Sequence, residues 1–220
     1  MIPTTIELCS GTASFTRVVR EHSCSETRHV TIDSDASFQP TFVCDIMDWD
    51  YQDAVEPSTH FVTHIWASPP CTEYSNMRTR GGPRNLAGAD AIVRRVLEII
   101  RFYRRHNPSL VYFIENPRSG MLKDRPFMQQ LTFHDVTYCS YGSDMRKYTR
   151  IWTNVSHFKP RVCVARNCHA AVHDPQTRRW RHRGTVSGSA WRWRNNREKR
   201  IAMGRVPRLL VSQLLGYTVA

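Results

Sequence analysis

Cys71 closes the run HFVTHIWASPPC, stiffened from behind by Pro69 and Pro70. Each proline fixes its own φ and restricts the residue before it, so a thiol at the exit of a strand is held in one direction. That suits a nucleophile, provided the thiolate is favoured or its proton leaves in step with attack. It suits equally a packing cysteine that follows a turn. Near the N-terminus, ELCSGTASFT carries small residues from Ser10 to Ser14, and Gly11 and Thr12 let a ligand approach the backbone and a helix N-terminus. The segment IDSD ends in acids, so Asp33 and Ser34 stand where a carboxylate takes two ribose hydroxyls, and CDIMDWD places Asp45 and Ile46 beside an adenine. Three strand ends in order, each with that chemistry, point to a nucleoside-containing cofactor.

Those strand ends need strands. Short β-branched or aromatic runs predict strands over 4–9, 29–33, 41–44, 60–67, 110–115, 135–141 and 150–154, and helical spacing predicts helices over 15–22, 87–106 and 121–130. In AGADAIVRRVLEIIRFYRRH the residues Ile92, Val93, Val96, Ile99, Ile100 and Tyr103 make one apolar face. This alternation predicts an α/β fold, a mostly parallel doubly wound sheet whose ligands bind beyond the carboxyl ends of the strands. From 156 to 200 periodicity gives way to polar, Arg-rich sequence, and RVPRLLVSQLLG supplies a last apolar helix. Three parts are therefore expected: a catalytic domain over 1–155, a small basic nucleic-acid-binding segment over 156–200, and a C-terminal helix over 201–220 packing back on the first.

The chain is similar to the cytosine-C5 methyltransferases that use S-adenosylmethionine. Their Pro-Pro-Cys nucleophile motif, with an aromatic residue and Ser downstream, is matched by Pro69, Pro70, Cys71, Tyr74 and Ser75. Their Glu-Asn motif is matched by Glu115 and Asn116 in FIENP, and their basic motif after Tyr-Gly resembles YGSDMRKYTRIW. The resemblance covers roughly residues 5 to 155 and looks most like compact phage and viral forms. It implies a class I methyltransferase Rossmann-like sheet of about seven strands, with Cys71 adding to C6 of cytosine so that C5 becomes enamine-like. Glu115 would hold the N3 and exocyclic amine edge, as a buried acid able to supply a proton. Arg150, helped by Arg146 or Lys147, would bind O2 and a phosphate, and a base within a duplex would have to be flipped out. Cofactor contacts would come from Glu7, Gly11, Thr12, Asp33, Ser34, Asp45, Ile46 and Pro69. The sequence departs from the pattern at Glu7, where the family has Asp, at Cys9, where it has an aromatic residue, and at Thr72, where it has Gln. Glu115 as a cap and Arg150 as an ion-pair partner are the plainer alternatives.

No large recognition domain follows the basic motif. Residues 145–220 hold 17 of the 31 Lys and Arg but only Asp174 and Glu198 of the 19 acids, so the net charge of +12 belongs to this third. Arg178, Arg179, Trp180, Arg181, Arg192, Trp193 and Arg194, together with Ser75, Arg78, Arg80, Arg146 and Lys147, form the expected clamp, cations for phosphates and indoles for bases. A solvated basic face is the plainer reading. Cys163 and Cys168, with His169, His173 and His182 downstream, could supply tetrahedral Zn²⁺ ligands and fold a segment too polar to fold alone. The compact relatives favour His182, with His173 as the fourth.

Seven cysteines without close, even spacing, no apolar leader and no apolar run long enough for a membrane span predict a monomer acting inside a cell, in cytoplasm or nucleus, or in a host cell for a viral chain. The function expected is methylation of DNA cytosine. The same reaction on RNA, transfer from a modified donor, and a catalytically silent nucleic-acid-binding scaffold are the rivals.

Overall fold

The computed structural model describes residues 1–78, 82–185 and 196–217. Seven of its strands join in one sheet: β1 (Ile2–Leu8), β2 (Arg28–Asp33), β3 (Phe42–Val43), β4 (His60–Ala67), β5 (Val111–Pro117), β6 (Phe133–Thr137) and, after a detached β7 (Met145–Arg146), β8 (Tyr148–Thr153). Their order is β3-β2-β1-β4-β5-β8-β6, with β8 antiparallel to both neighbours and the other pairings parallel. The order reverses at β1 and β4, so their carboxyl ends open a crevice between them. This is the class I methyltransferase topology that the resemblance implied.

Both faces of the sheet are covered, and strict alternation decides which side chain goes where. Ile65 and Ala67 of β4, with Tyr112 and Ile114 of β5, enter the core beneath α3 (Leu86–His106), while Trp66 and Phe113 enter the opposite core. On that second side α1 (Ser14–His22) contributes Phe15, Val18 and Val19, and α6 (Arg208–Leu214) contributes Leu210, Val211 and Leu214. Val155 and Phe158 are buried in the same cluster. The C-terminal helix is further tied to α1 by Arg208–Glu21 at 2.7 Å and to its first residue by the Val206 N–H, which donates to Ser14 Oγ at 3.2 Å.

α3 begins where the Asn85 side chain accepts the Gly88 N–H, and its buried face is the one read from the sequence, with Ala89, Asp90 and Leu97 added and Ile92 only partly buried. Three predicted elements differ. The strand expected over 135–141 stops at Thr137 and tightens into a 3₁₀ turn, Tyr138–Tyr141, closed by Gly142 at φ 86°. The helix expected over 121–130 splits into a 3₁₀ turn, Met121–Asp124, and α4 (Pro126–Gln129), because Arg125 precedes a proline and takes extended dihedrals. Within 156–200, where no regular structure was expected, β9 (Ala171–Asp174) and β10 (Arg179–His182) form a hairpin, β11 (Gly184–Thr185) pairs with β7, and α5 (Asn196–Gly204) follows. A short α2 (Tyr51–Ala54) packs against α3, with Tyr103 Oη donating to Tyr51 O at 2.6 Å. No helix among the described residues is long and apolar enough to cross a membrane.

Candidate active site

The carboxyl ends of β1, β4 and β5 surround a cavity of about 840 Å³. Its walls bring together Glu7, Gly11 and Thr12 from the first loop, Pro69, Cys71 and Ser75 from the Pro-Pro-Cys turn, Glu115 and Asn116 from the end of β5, and Arg78, Arg146 and Lys147. Residues more than a hundred positions apart thus share one space, as the motif order required.

The nucleophile turn is held at both ends. The Ser68 N–H donates to Leu8 O at 3.1 Å, and the Asn116 side-chain amide donates to Pro69 O at 2.9 Å. Beyond Cys71 the chain turns tightly, with the Tyr74 N–H donating to Cys71 O. The Tyr74 ring is buried, its Oη donates to Asp90 of α3 at 2.8 Å, and Arg125 binds the other oxygen of Asp90. Burial pushes the Cys71 thiol up; Lys147 pulls it down and Glu115 pushes it further up. At rest Cys71 is therefore a thiol, so its proton must leave as the new bond forms.

Glu115 is almost fully buried, and its Oε1 accepts Tyr138 Oη at 3.2 Å and Lys147 Nζ at 3.1 Å. Lys147 is buried too, lies 4.8 Å from the centroid of the Tyr138 ring and donates to Met203 O at 3.1 Å. A buried cation of this kind requires several partners. Arg146 stacks its guanidinium on the Tyr148 ring, 4.7 Å from the centroid.

Glu7 lies on the α1 side of β1. α1 has no side-chain N-cap, since Ala13 stands at that position with a left-handed backbone; instead the Glu7 carboxylate accepts the N–H groups of Phe15 at 3.3 Å and Thr16 at 2.8 Å. It caps the helix from a neighbouring strand. Full burial nevertheless raises its pKa to about 7, with those hydrogen bonds and Arg17 acting against the rise.

Several expected positions lie elsewhere. Arg150 is absent from the cavity wall: it faces Asp135 across the β6–β8 pair, its Nε and Nη2 reach both carboxylate oxygens at 2.7 and 2.9 Å, and its guanidinium lies over Phe133. The β6–β8 register sets Arg150 opposite Asp135, and the buried cation on the cavity wall is Lys147. Asp33, Ser34, Asp45 and Ile46 do not line the cavity either. Both oxygens of Asp33 are taken by the N–H groups of Gly11 and Asp35, Asp45 caps Met47, Ile46 is buried in the core, and Ser34 is exposed. Phe38, Met203, Gly204 and Val206 line it without having been marked in the sequence. Phe38 had no motif to flag it, and the last three come from the polar stretch and its helix boundary.

Arg178, Arg179, Trp180 and Arg181 are exposed on the β9–β10 hairpin, apart from the cavity. Arg80, Arg192, Trp193 and Arg194 lie outside the described residues. Cys163, Cys168 and His182 come together, and their fourth neighbour is Cys139, not His173. His173 is exposed on β9, its ring 5.4 Å from that of Trp180; it shares a hairpin face with His182 but pairs with Trp180, whereas His182 at the end of β10 pairs with Ala171. Cys139 escaped notice because it sits in the catalytic part of the sequence, far from the other three.

The cavity also offers unused polarity. Ser10 Oγ, Asn116 Oδ1 and Arg146 Nε are buried on its wall with no partner among the described residues. Buried polar groups left without partners beside one cavity mark a wall suited to a polar ligand such as a nucleoside and its base.

No family model matches the sequence. The chain is 29% identical over 227 residues, covering 96% of itself and 97% of the relative, to a "Probable DNA (cytosine-5)-methyltransferase" of Frog virus 3 (isolate Goorha). Among solved structures it is similar to DNMT2 of Spodoptera frugiperda (12% identity, TM-score 0.46, 72% of this chain and 54% of that one). It is also similar to the methyltransferase EhMeth of Entamoeba histolytica (17%, 0.44, 78% and 58%) and to Dnmt2 of S. pombe (13%, 0.45, 71% and 50%). The chain spans only about half the length of those structures. The viral relative matches nearly end to end, and the Pro-Pro-Cys and Glu-Asn motifs meet in one cavity, so the chain is similar to the cytosine-C5 methyltransferases both in sequence and in the make-up of this site.

Proposed function

We propose that this chain methylates C5 of cytosine in DNA, with Cys71 as the nucleophile and S-adenosylmethionine as the methyl donor. The observation that carries the reading is the single cavity shared by Cys71, Glu115 and the Gly11–Thr12 loop. The printed name of the viral relative supports DNA as the polymer. Ser10, Gly11, Thr12 and Pro69 would hold the donor, whose sulfonium supplies an electrophilic methyl group.

The rest is done by the chain. Cys71 Sγ bonds to C6 as its proton passes to water, the C5=C6 π pair moves to C5, and Glu115 holds the N3 and amine edge of the base. Lys147 and Arg146 take the role first expected of Arg150, neutralising charge at O2 from the cavity wall. After C5 gains the methyl group, loss of the C5 proton to water restores the double bond and expels the Cys71 thiolate. A base in a duplex can reach Cys71 only after leaving the stack, which the sheltered cavity demands. A silent scaffold would have no chemical reason to keep a thiol, an acid and a buried lysine around one space.

Nucleoside mass spectrometry of DNA and RNA from cells expressing the chain tests this directly. 5-Methylcytosine should rise in DNA and stay at background with Cys71→Ser. A rise confined to RNA would move the substrate, and no rise in either polymer would remove the activity. DNA bearing 5-fluorocytosine should in addition trap a covalent adduct, because fluorine cannot leave as the C5 proton does.

A further inference from the structure

We propose that Cys139, Cys163, Cys168 and His182 bind one structural zinc ion, which fastens the Arg-rich segment after β8 to the sheet and braces the cationic wall of the cavity. Their four ligand atoms all lie within 4.8 Å of one another. A tetrahedral zinc with Zn–S near 2.3 Å sets its sulfurs about 3.8 Å apart, so a contraction of about 1 Å at the longest edge completes the geometry. His182 Nε2 already faces two sulfurs, Cys163 Sγ at 3.1 Å and Cys139 Sγ at 3.7 Å. Three thiolates and one imidazole form a donor set suited to zinc and unsuited to calcium or magnesium, which take oxygen ligands. None of the seven cysteines is in a disulfide.

The segment needs such a centre. Beyond Phe158, among its described residues, it buries only Ala170 and Ala171 of its apolar side chains, while Val162, Val164 and Val172 are exposed. A lone two-stranded hairpin is marginal in water, and a metal supplies folding free energy that so small an apolar core cannot. The four ligands come from four places: the 3₁₀ turn after β6, the link after β8, the residue that closes the 3₁₀ turn Ala165–Asn167 and the end of β10. The link itself leans on the sheet, since the Thr137 N–H donates to Arg161 O at 3.1 Å and the Arg161 N–H donates to Tyr141 Oη at 2.8 Å.

Two ligands adjoin the cavity wall. Cys139 follows Tyr138, whose Oη donates to Glu115 and whose N–H donates to Lys147 O at 3.0 Å. Two residues beyond His182, β11 pairs with β7, pinning Arg146 directly before Lys147. The ion would thus hold both flanks of the Glu115–Lys147 pair. This bracing role rests on the function proposed above, whereas the site itself does not.

The experiment uses the full chain purified after expression with zinc. Elemental mass spectrometry should find one zinc per chain, in Cys71→Ser as in the parent, so that a failed methylation assay leaves the metal question separately answered. Alkylation followed by peptide mass spectrometry should find Cys139, Cys163 and Cys168 protected, and all three should become reactive together on chelation. Cys24, which is exposed, should react equally in both states. His173→Ala should keep the metal and His182→Ala should lose it; if His182→Ala does not fold, the footprint on the parent decides. Absence of stoichiometric zinc after reconstitution, or chelation that leaves Cys139 unreactive while exposing the other two, would overturn the proposal.

Discussion

Lys147 and Arg150 lie three residues apart and do different work. Lys147 Nζ is buried against Glu115 on the cavity wall, whereas Arg150 spends two of its three guanidinium nitrogens on Asp135. Lys147→Gln should therefore lower kcat/KM at least about a hundredfold, the size of effect seen when one charge-stabilising donor is removed. Arg150→Ala should cost about 1 kcal/mol of stability by stranding Asp135, while kcat/KM stays within about threefold. Steady-state kinetics and thermal melts on the two variants separate the roles, and equal kinetic losses would return Arg150 to the chemistry. The sequence gives no hint of this exchange, because strand register decides which cation meets Asp135 and register is not visible in the motif. Glu7 was legible as a residue of the first loop but not as a helix cap, since α1's open N-terminus appears only once β1 and α1 pack. Its pKa near 7 means that the folded chain holds the Glu7 proton more tightly than the unfolded chain does. The resulting stabilisation is full below about pH 4.5 and is lost as pH rises through about 7. Glu7→Gln carries no such proton, so the parent's advantage in Tm over this variant should shrink across that window. Parallel pH–Tm curves would count against the assignment.

At the scale of elements, α3 was readable almost to the residue because its apolar face repeats at helical spacing and Asn85 caps it. What the spacing could not show is that Asp90, a charge at the start of that face, reaches across to the nucleophile turn. Asp90 is buried because Tyr74 and Arg125 both satisfy it, the condition under which a carboxylate tolerates burial. The Met121 N–H donates to Tyr74 O at 2.9 Å, so the turn is also tied to the segment after β5. Tyr74→Phe removes one hydrogen bond and keeps the ring, so the fold should lose only about 1 kcal/mol. The turn that presents Cys71 should loosen, and kcat should fall about tenfold with little change in KM, the signature of lost positioning. An unchanged kcat in a folded variant would show that the prolines and Asn116 suffice. The elements misread were those where periodicity is absent or broken. Pro126 divides one apolar run, the Tyr138–Tyr141 turn continues a strand-like composition, and the hairpin and α5 are too polar for an apolar face to announce them.

For the molecule as a whole, charge is segregated as firmly as fold. The catalytic sheet carries most of the acids, and the β9–β10 hairpin presents Arg178, Arg179, Trp180 and Arg181 to solvent, so phosphates should be met by the short segment and the base by the cavity. Binding that neutralises phosphates weakens with salt in proportion to the contacts made, with a log–log slope of about 0.9 per contact on duplex DNA. Arg181 already lies 3.4 Å from Asp174, so its charge is partly spent, whereas Arg178 and Arg179 form no ion pair among the described residues. Replacing Arg178, Arg179 and Arg181 together by Ala should thus make the salt slope shallower by about 2, and Arg181→Ala alone by much less than 1. Trp180→Ala should leave the slope unchanged while weakening binding, because a stacking ring carries no charge. Titrations of labelled duplex and single-stranded DNA at several salt concentrations read all three effects. If the triple variant keeps the parent's slope on both forms, the polyanion lies along Arg78 and Arg146 at the cavity mouth, and the hairpin's charge serves solubility alone.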